Sequence, residues 1–145
     1  MTIKNLFDHR QKIKERYLKD YQVEVRELVH SAKDKDFMDQ LLKILEQKLE
    51  DPQLNVDYVC REIGISKTKL YKKIKDITGQ TINEFIRTIR LKKAMEIMTH
   101  KDVQITEVMY QVGILSQSYF TTIFKKEFGI APSHFQRQIN NRKVV

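Results

Sequence analysis

A dense group of lysines follows Ser66. Five lysines occur within the nine residues from Lys67 to Lys75, and no acidic residue lies among them. Apolar residues at helical intervals predict a helix whose buried face is Leu70, Ile74 and Ile77. The opposite face then exposes Lys67, Thr68, Tyr71, Lys72 and Lys75. Because these lysines are not spaced with acidic residues as intrahelical ion pairs, the face suits a polyanion such as DNA, with a merely solvated lysine face as the alternative.

A second segment, after Ser116, combines short polar and aromatic side chains. A helix here buries Phe120, Ile123, Phe124 and Phe128 and presents Gln117, Ser118, Thr121, Thr122 and Lys125. Short polar side chains at a helix N-terminus can contact base edges or phosphates, and the first-turn amides add phosphate donors. We therefore place both N-capping serines, Ser66 and Ser116, beside phosphates. The aromatic residues could instead stack on single strands, although helical spacing favours a core position for Tyr119, Phe120, Phe124, Phe128 and Phe135.

The two segments belong to a repeat with a period of about 50 residues. The first copy runs through Val59, Ile63, Gly64, Ile65, Ser66, Leu70, Ile74, Gly79, Phe85 and Arg87. The second copy runs through Val108, Val112, Gly113, Ile114, Ser116, Phe120, Phe124, Gly129, Phe135 and Arg137. One inserted residue, Leu115, shifts the offset between the copies from 49 to 50. Two such copies indicate a duplicated helical unit rather than a solenoid.

Each copy has the residue pattern of a helix-turn-helix. Gly64 and Gly113 stand where a helix C-terminus needs a left-handed residue, and a serine N-cap follows each turn. We predict the first helix-turn-helix at about 55–79, a linker helix at about 81–99 and the second helix-turn-helix at about 105–129. The linker reads as an amphipathic helix with a core face of Ile82, Phe85, Ile86, Ile89, Ala94, Ile97 and Met98. Its length of roughly 28 Å is comparable with the approximately 34 Å between successive major-groove faces of a duplex.

Residues 1–35 read as a helical linker segment in front of a domain formed by residues 36–145. The segment carries a sparse apolar stripe of Leu6, Ile13, Tyr17, Tyr21, Val25 and Leu28. A stripe of this kind fits one long helix with little to pack against in so short a chain, so we expect it to self-associate or to dock on an upstream domain. A polar break from Ser31 to Asp36 precedes a second helix, which is stopped by Asp51 and Pro52 and is built around Phe37, Leu41, Leu42, Leu45 and Leu49.

Composition favours an all-α chain, because there are four glycines, two prolines and no alternating β-branched runs. Residues 1–54 hold 11 Lys/Arg and 11 Asp/Glu, whereas residues 55–145 hold 16 and 8, so the net charge of +8 lies wholly in the second part. This asymmetry points to a polyanionic partner for residues 55–145. No stretch approaches the roughly 20 apolar residues that span a bilayer, which predicts a cytoplasmic location and no membrane contact for this segment.

Residues that catalysis or metal binding would require are scattered. The four histidines lie far apart in the sequence, at His9, His30, His100 and His134. Cys60, the single cysteine, has no nearby partner at metal-ligand spacing, and no glycine-rich phosphate loop is present. We therefore expect no enzyme activity, no cofactor and no metal. A helical protein-interaction domain, with its lysines facing an acidic protein, is the other alternative.

Two stretches resemble the DNA-binding domain of AraC-type transcriptional regulators. Gly113–Phe135, GILSQSYFTTIFKKEFGIAPSHF, is similar to the family signature around its second helix-turn-helix, and Leu70–Ala94, LYKKIKDITGQTINEFIRTIRLKKA, is similar to its first recognition helix and linker. The resemblance covers about residues 37–140. It departs from the family pattern at Ile114, where an aromatic residue is usual, and at Thr122, where arginine is frequent.

The resemblance implies roles for individual residues. Base-reading positions of the family fall on Thr68, Tyr71, Lys72, Gln117, Ser118 and Thr122, to which the polar face of the second helix adds Thr121. Phosphate-contacting positions fall on Lys67, Lys75 and Lys125. It also implies a transcription factor, more often an activator than a repressor, that binds double-stranded DNA and works with RNA polymerase. Without arginine at Thr122, strong guanine readout by the second unit is not expected.

Residues 3–17, IKNLFDHRQKIKERY, resemble the segment that joins a response-regulator receiver to such a domain in hybrid two-component regulators of Bacteroidetes. This resemblance implies that the chain is the output end of a larger regulator.

Overall fold

The computed structural model describes residues 17–144, which form eight helices and no strand, and this confirms the predicted all-α class. Leu6, Ile13 and most of the stretch 3–17 lie outside the described residues. The helices are α1 (Tyr17–Glu27), α2 (Ala32–Lys48), α3 (Val56–Ile63), α4 (Lys67–Thr78), α5 (Ile82–His100), α6 (Ile105–Gln111), α7 (Gln117–Phe128) and α8 (Pro132–Val144). Within this range, none of the helices is both long enough and apolar enough to cross a membrane.

Two helix-turn-helix units flank the long helix α5. The first unit consists of α3 and α4 and the second of α6 and α7, each within one or two residues of the predicted ranges. The inserted residue Leu115 lies in the turn of the second unit, where its side chain is 62% exposed. The insertion therefore lengthens a turn and leaves the core positions of the repeat in register.

The linker helix α5 was predicted to be amphipathic, with one buried face. It is instead buried on nearly all sides. All seven predicted core residues are buried, and so are Thr88, Arg90, Leu91, Met95 and Thr99. The reason is that α5 passes through two apolar clusters in succession. Residues up to Ile89 belong to a cluster with α1–α4, whereas residues from Leu91 onward belong to a cluster with α6–α8. The linker thus holds each unit by a different part of its length.

Helix α1 packs on α5 and α2, so the prediction that this segment has little to bury against is wrong. Leu18, Val25 and Val29 are buried in the same apolar cluster as α2–α5. The buried positions follow a helical spacing that begins at Leu18, and Leu28, which the predicted stripe included, is 52% exposed. The division at residues 1–35 and 36–145 remains a prediction, and the described part of the first segment contributes directly to the core of the second.

The second helix begins earlier than predicted. Ser31 Oγ accepts a hydrogen bond from the backbone N–H of Asp34 at 3.1 Å, so α2 starts at Ala32. The supposed polar break is therefore the N-cap and exposed first turn of α2, since a serine with extended backbone is a strong helix start. Its five predicted core residues are all buried, and the helix ends before Asp51 and Pro52 as predicted.

Candidate nucleic-acid interface

The first unit turns at Gly64, which has the left-handed backbone conformation that the sequence predicted (φ 84°). Its N–H donates to the carbonyl of Cys60 at 2.8 Å and so closes the C-terminus of α3. Ser66 Oγ then accepts from the N–H of Lys69 at 3.2 Å and starts α4. Local hydrogen bonds of this kind fix the direction in which α4, the first recognition helix, leaves the turn.

The two faces of α4 differ as the periodicity requires. Leu70 and Ile74 are fully buried, whereas the predicted DNA-facing residues are exposed, namely Ser66, Lys67, Thr68, Tyr71, Lys72 and Lys75. Tyr71 combines an apolar ring with a hydroxyl group at the surface, and such a side chain suits contact with a groove wall. The first unit therefore presents one continuous face of cations and hydrogen-bonding groups.

Three lysines of α4 pair with carboxylates. One of these pairs lies within the helix, although the spacing of charges in the sequence predicted no intrahelical ion pairs. Lys67 Nζ lies 2.8 Å from Asp57 on α3, and Lys72 Nζ lies 3.3 Å from Asp76 one turn later. Lys73 is directed away from the exposed face, toward Asp34 at 3.1 Å and over the ring of Phe37 at 5.2 Å. The same contact lowers the pKa of Asp34, chiefly through the hydrogen bond from Lys73. Lys73 thus fastens α4 to α2 instead of facing DNA.

The ion pairs on the exposed face can open at little cost. Both members of the Lys67–Asp57 and Lys72–Asp76 pairs are more than half exposed, and pairs of this kind contribute about 0–1 kcal/mol. A phosphate can therefore displace either carboxylate. Lys75 differs, because its Nζ donates to the carbonyl of Gly79 at 3.0 Å and so caps the C-terminus of its own helix.

The second recognition helix, α7, exposes most of its predicted contact residues. Ser116, Gln117, Ser118, Thr122 and Lys125 are exposed, whereas Thr121 is half-buried. Ser116 caps the helix through the N–H of Tyr119 at 3.2 Å. The hydroxyl of Thr122 donates to the Ser118 carbonyl at 2.9 Å, so toward DNA this residue offers an acceptor oxygen and a methyl group. Thr121, half-buried, is the least accessible of the predicted base-reading residues.

Four of the five aromatic residues between positions 119 and 135 form the core around α7, as their spacing predicted. The four buried residues are Phe120, Phe124, Phe128 and Phe135. The rings of Phe124 and Phe128 pack edge to face, with their centroids 4.7 Å apart. Tyr119 is the exception, with 49% of its surface exposed beside Ser116 and Ser118. The predicted core position of Tyr119 is therefore wrong, because the apolar run around this residue hid its place on the exposed face of α7. Ile114 is buried, so the core accommodates the departure from the usual aromatic residue.

Arg90, which was not among the predicted site residues, is a buried arginine in the middle of α5 and is 8% exposed. Its Nη1 donates to the carbonyls of Leu49 and Val112, and its Nη2 donates to the carbonyl of Asp51 at 3.3 Å. Burial lowers the pKa of this guanidinium group, and Asp51 opposes that shift. The only signal in the sequence is a cation set within the apolar run of the linker.

A groove of about 490 Å³ lies between the linker and the N-terminus of α7. Its walls include Pro52 before the first unit, Asn83 and Arg87 on the linker, and Ser116 and Tyr119 in the second unit. The groove therefore offers cationic and hydrogen-bonding groups between the two units. Among residues 17–144 no three His, Cys, Asp or Glu side chains are grouped so that they could hold a metal ion.

Comparison with known proteins places the pattern in a family. Residues 59–138 match a family model described as a helix-turn-helix domain. The chain is 35% identical over 97 residues to the probable transcription factor PqrA of Proteus vulgaris, covering 66% of this chain and 80% of PqrA. It is 32% identical over 142 residues to histidine kinase P4 of Formosa agariphila, covering 98% of this chain and 10% of the kinase. The chain thus spans a tenth of that relative's length.

A solved structure shows the same arrangement of helices. The C-terminal domain of AraT, a response regulator from Geobacillus stearothermophilus, superposes with a TM-score of 0.63 at 26% sequence identity. The match covers 68% of this chain and 81% of the other.

Proposed function

The chain belongs to the AraC-type helix-turn-helix family of DNA-binding transcription regulators, and on that premise we propose that it reads two successive major grooves of one duplex, one with α4 and one with α7. The observation that carries this proposal is the pair of serine-capped helices with exposed polar faces on either side of a 19-residue linker. A linker of that length is roughly 28 Å long, close to the approximately 34 Å that separates equivalent major-groove faces. Two dissimilar recognition helices read a non-palindromic site.

The two helices offer different contacts to DNA. The exposed face of α4 is rich in lysine, whereas α7 offers mainly uncharged hydrogen-bonding groups. In α4, Thr68, Tyr71 and Lys72 face the bases, and a lysine there favours guanine, whose O6 and N7 are acceptors. In α7, Gln117 can pair with adenine N6 and N7, while Ser118 and Thr122 contribute smaller contacts. Because the Thr122 hydroxyl already donates to its own helix, its methyl group favours contact with the methyl group of thymine.

Phosphate contacts fix the protein on the duplex. Ser66 and Ser116 cap the N-termini of the two recognition helices, which carry a partial positive charge. Both N-termini lie against the phosphate backbone of the DNA. Lys67, Lys75 and Lys125 add full charges near the same strands. Lys67 leaves Asp57 when a phosphate replaces that carboxylate.

We also infer the place of this chain in a larger regulator. Its match to a segment of a histidine kinase and to a response-regulator C-terminal domain supports a role as the output module of a two-component system. The module then acts in the cytoplasm, where the chromosome is, and activates transcription with RNA polymerase, as the family resemblance implies. An upstream receiver domain or a second copy of the chain contacts the exposed side of α1 and of the turn that follows it, where Val23 and Leu28 lie. The role is one of binding and not of catalysis.

Selection from a random duplex pool, followed by a salt series, tests the proposal. The expected result is an asymmetric site with two recognition blocks about one helical turn apart. If about six phosphates are contacted, log affinity falls against log salt with a slope of roughly −5. A Gln117→Ala variant should lose preference in one block only, whereas Gln47→Ala, which removes an exposed glutamine of α2 outside both units, is the matched control and should leave both blocks unchanged. No enrichment over random duplex, or a flat salt response, would favour the protein-interaction alternative.

A further inference from the structure

Arg90 occupies the point where the linker passes from one core to the other. Ile89 is the last linker residue in the apolar cluster of the first unit, and Leu91 is the first in the cluster of the second unit. A charged side chain that is 8% exposed needs hydrogen-bond partners at such a place. Its partners are backbone carbonyls, and they come from both sides of the linker.

Two of the three carbonyls that bind Arg90 belong to helix C-termini. Leu49 is the C-cap of α2, and Val112 is the C-cap of α6. The last carbonyls of a helix lack partners within the helix and carry its partial negative charge, so a guanidinium group satisfies both ends at once. Nη1 donates to Leu49 at 2.8 Å and also to Val112, while Nη2 reaches Asp51 at 3.3 Å. A planar fork of donors suits this bridge, and the single ammonium of lysine does not.

Gly113 allows the turn of the second unit to approach the Arg90 side chain closely. Its backbone is left-handed, with φ 77°. A Cβ atom at this position would overlap Nη1 of Arg90 and the carbonyl oxygen of Leu49. The turn of the second unit therefore packs directly on the guanidinium group and on the end of α2.

We propose that Arg90 is a positioning residue that fixes the orientation of the two helix-turn-helix units and thereby sets the number of base pairs between their half-sites. Its contacts tie the segment that leads into α3, at Leu49 and Asp51, to the residue that opens the turn before α7, Val112. One added base pair turns the second half-site by about 35° and moves it by roughly 3.4 Å, more than a locked pair of units can follow. The inference rests on the proposed reading of two grooves.

Affinity for duplexes with altered spacing tests the role. The selected site is lengthened or shortened between its blocks by one and by two base pairs. The wild-type protein should lose about 100-fold in affinity for one added base pair, because one unit loses its base contacts. Arg90→Met should lose less than about tenfold while keeping the base preference of each block, and Arg90→Lys should lie between the two. An Arg90→Met profile as narrow as that of the wild type would overturn the inference.

Two further variants separate positioning from charge and from folding. Gly113→Ala retains Arg90 but displaces it, so it should broaden the spacing profile in the same way. Arg87→Gln removes the same charge from the same groove without touching the carbonyls of Leu49 and Val112, so its profile should stay narrow even if affinity falls at every spacing. A broadened profile for Arg87→Gln would assign the effect to charge and overturn the role of Arg90.

A measurement without DNA keeps this inference distinct from the proposed function. Spin labels on the exposed positions Thr68 and Ser118 report the distance between α4 and α7. Thermal unfolding first establishes that each variant is folded. The distance distribution should be narrow for the wild type and Arg87→Gln and broad for Arg90→Met and Gly113→Ala. An unchanged distribution in both of the last two variants would contradict the positioning role, whereas failure of the wild type to bind any duplex would contradict the proposed function.

Discussion

Lys67 Nζ, at the start of α4, lies 2.8 Å from Oδ1 of Asp57, in the first turn of α3. The pair therefore crosses the turn of the first unit and places a carboxylate beside the face assigned to DNA. Asp57 raises the pKa of Lys67, chiefly through this hydrogen bond, so the ammonium group is charged in neutral solution. A phosphate and Asp57 compete for the same cation.

Asp57→Asn should strengthen DNA binding. The change removes a negative charge from the interface and leaves Lys67 to the phosphate, which we expect to be worth a few-fold in affinity, or about 0.5–1 kcal/mol. The gain should be equal on the selected site and on scrambled duplex, because phosphates carry no sequence information. Fluorescence anisotropy over a salt series measures both. Asp39→Asn is the matched control, since Asp39 forms an exposed pair at 2.8 Å with Arg26, outside both units. An equal gain in the control would show that only net charge matters.

Lys72→Ala and Lys75→Ala should differ in what they remove. Lys72 lies on the exposed face opposite Leu70 and Ile74, so its loss should cost about 1–3 kcal/mol on the selected site and relax preference at one or two base pairs. Lys75→Ala should weaken binding to selected and scrambled duplex alike and reduce the salt slope by roughly one unit. Competition assays with both DNAs distinguish the two outcomes. If both variants lose the same proportion on both DNAs, α4 is an electrostatic anchor and does not read bases.

Leu18→Ala should destabilise the domain by about 2–5 kcal/mol, because Leu18 is buried in the core shared by α1–α5. Leu28→Ala, ten residues beyond on the same segment and 52% exposed, is the control and should change stability by no more than about 0.5 kcal/mol. Urea unfolding of both variants measures the difference. Small and equal effects would mean that α1 is not docked in solution.

The phenol of Tyr21 should make the fold sensitive to alkali. Burial, and then the carboxylates of Glu127 and Glu24, raise the pKa of Tyr21 from 10.0 to about 12. The unfolded chain releases this proton near pH 10, whereas the folded chain keeps it to about pH 12, so the contribution is fully present below pH 10 and is lost as pH rises through about 12.

Tyr21→Phe keeps the ring near Phe85 and under Lys92 but removes the titrating group. The unfolding free energy of the variant should therefore rise relative to that of the wild type between pH 10 and pH 12. Burial lowers the pKa of Lys92, which gives a slope of the opposite sign, but that lysine is present in both proteins. Tyr110→Phe removes an exposed phenol and serves as the control. Parallel curves for wild type and Tyr21→Phe would contradict the prediction.

Much of the interface was predictable because its signals are local. The caps at Ser66 and Ser116 and the left-handed turns at Gly64 and Gly113 depend on hydrogen bonds within a few residues, so they appear in the sequence as fixed spacings. The exposed faces of α4 and α7 follow from the helical period alone. The same signals established the all-α class and the duplicated unit.

Only the tertiary structure decided how these elements meet. Two of these contacts join residues more than twenty positions apart, namely the pairing of Lys73 with Asp34 and the bridge from Arg90 to Leu49 and Val112. The docking of Leu18 likewise depends on helices that follow much later in the chain. A lysine in the sequence has the same periodicity whether it faces solvent or a distant carboxylate, and an arginine in an apolar helix gives no sign of which carbonyls it will bind. Periodicity specifies which face of a helix is buried. What lies against that face depends on the packing of the whole chain, because burial and charge pairing are properties of the assembled core.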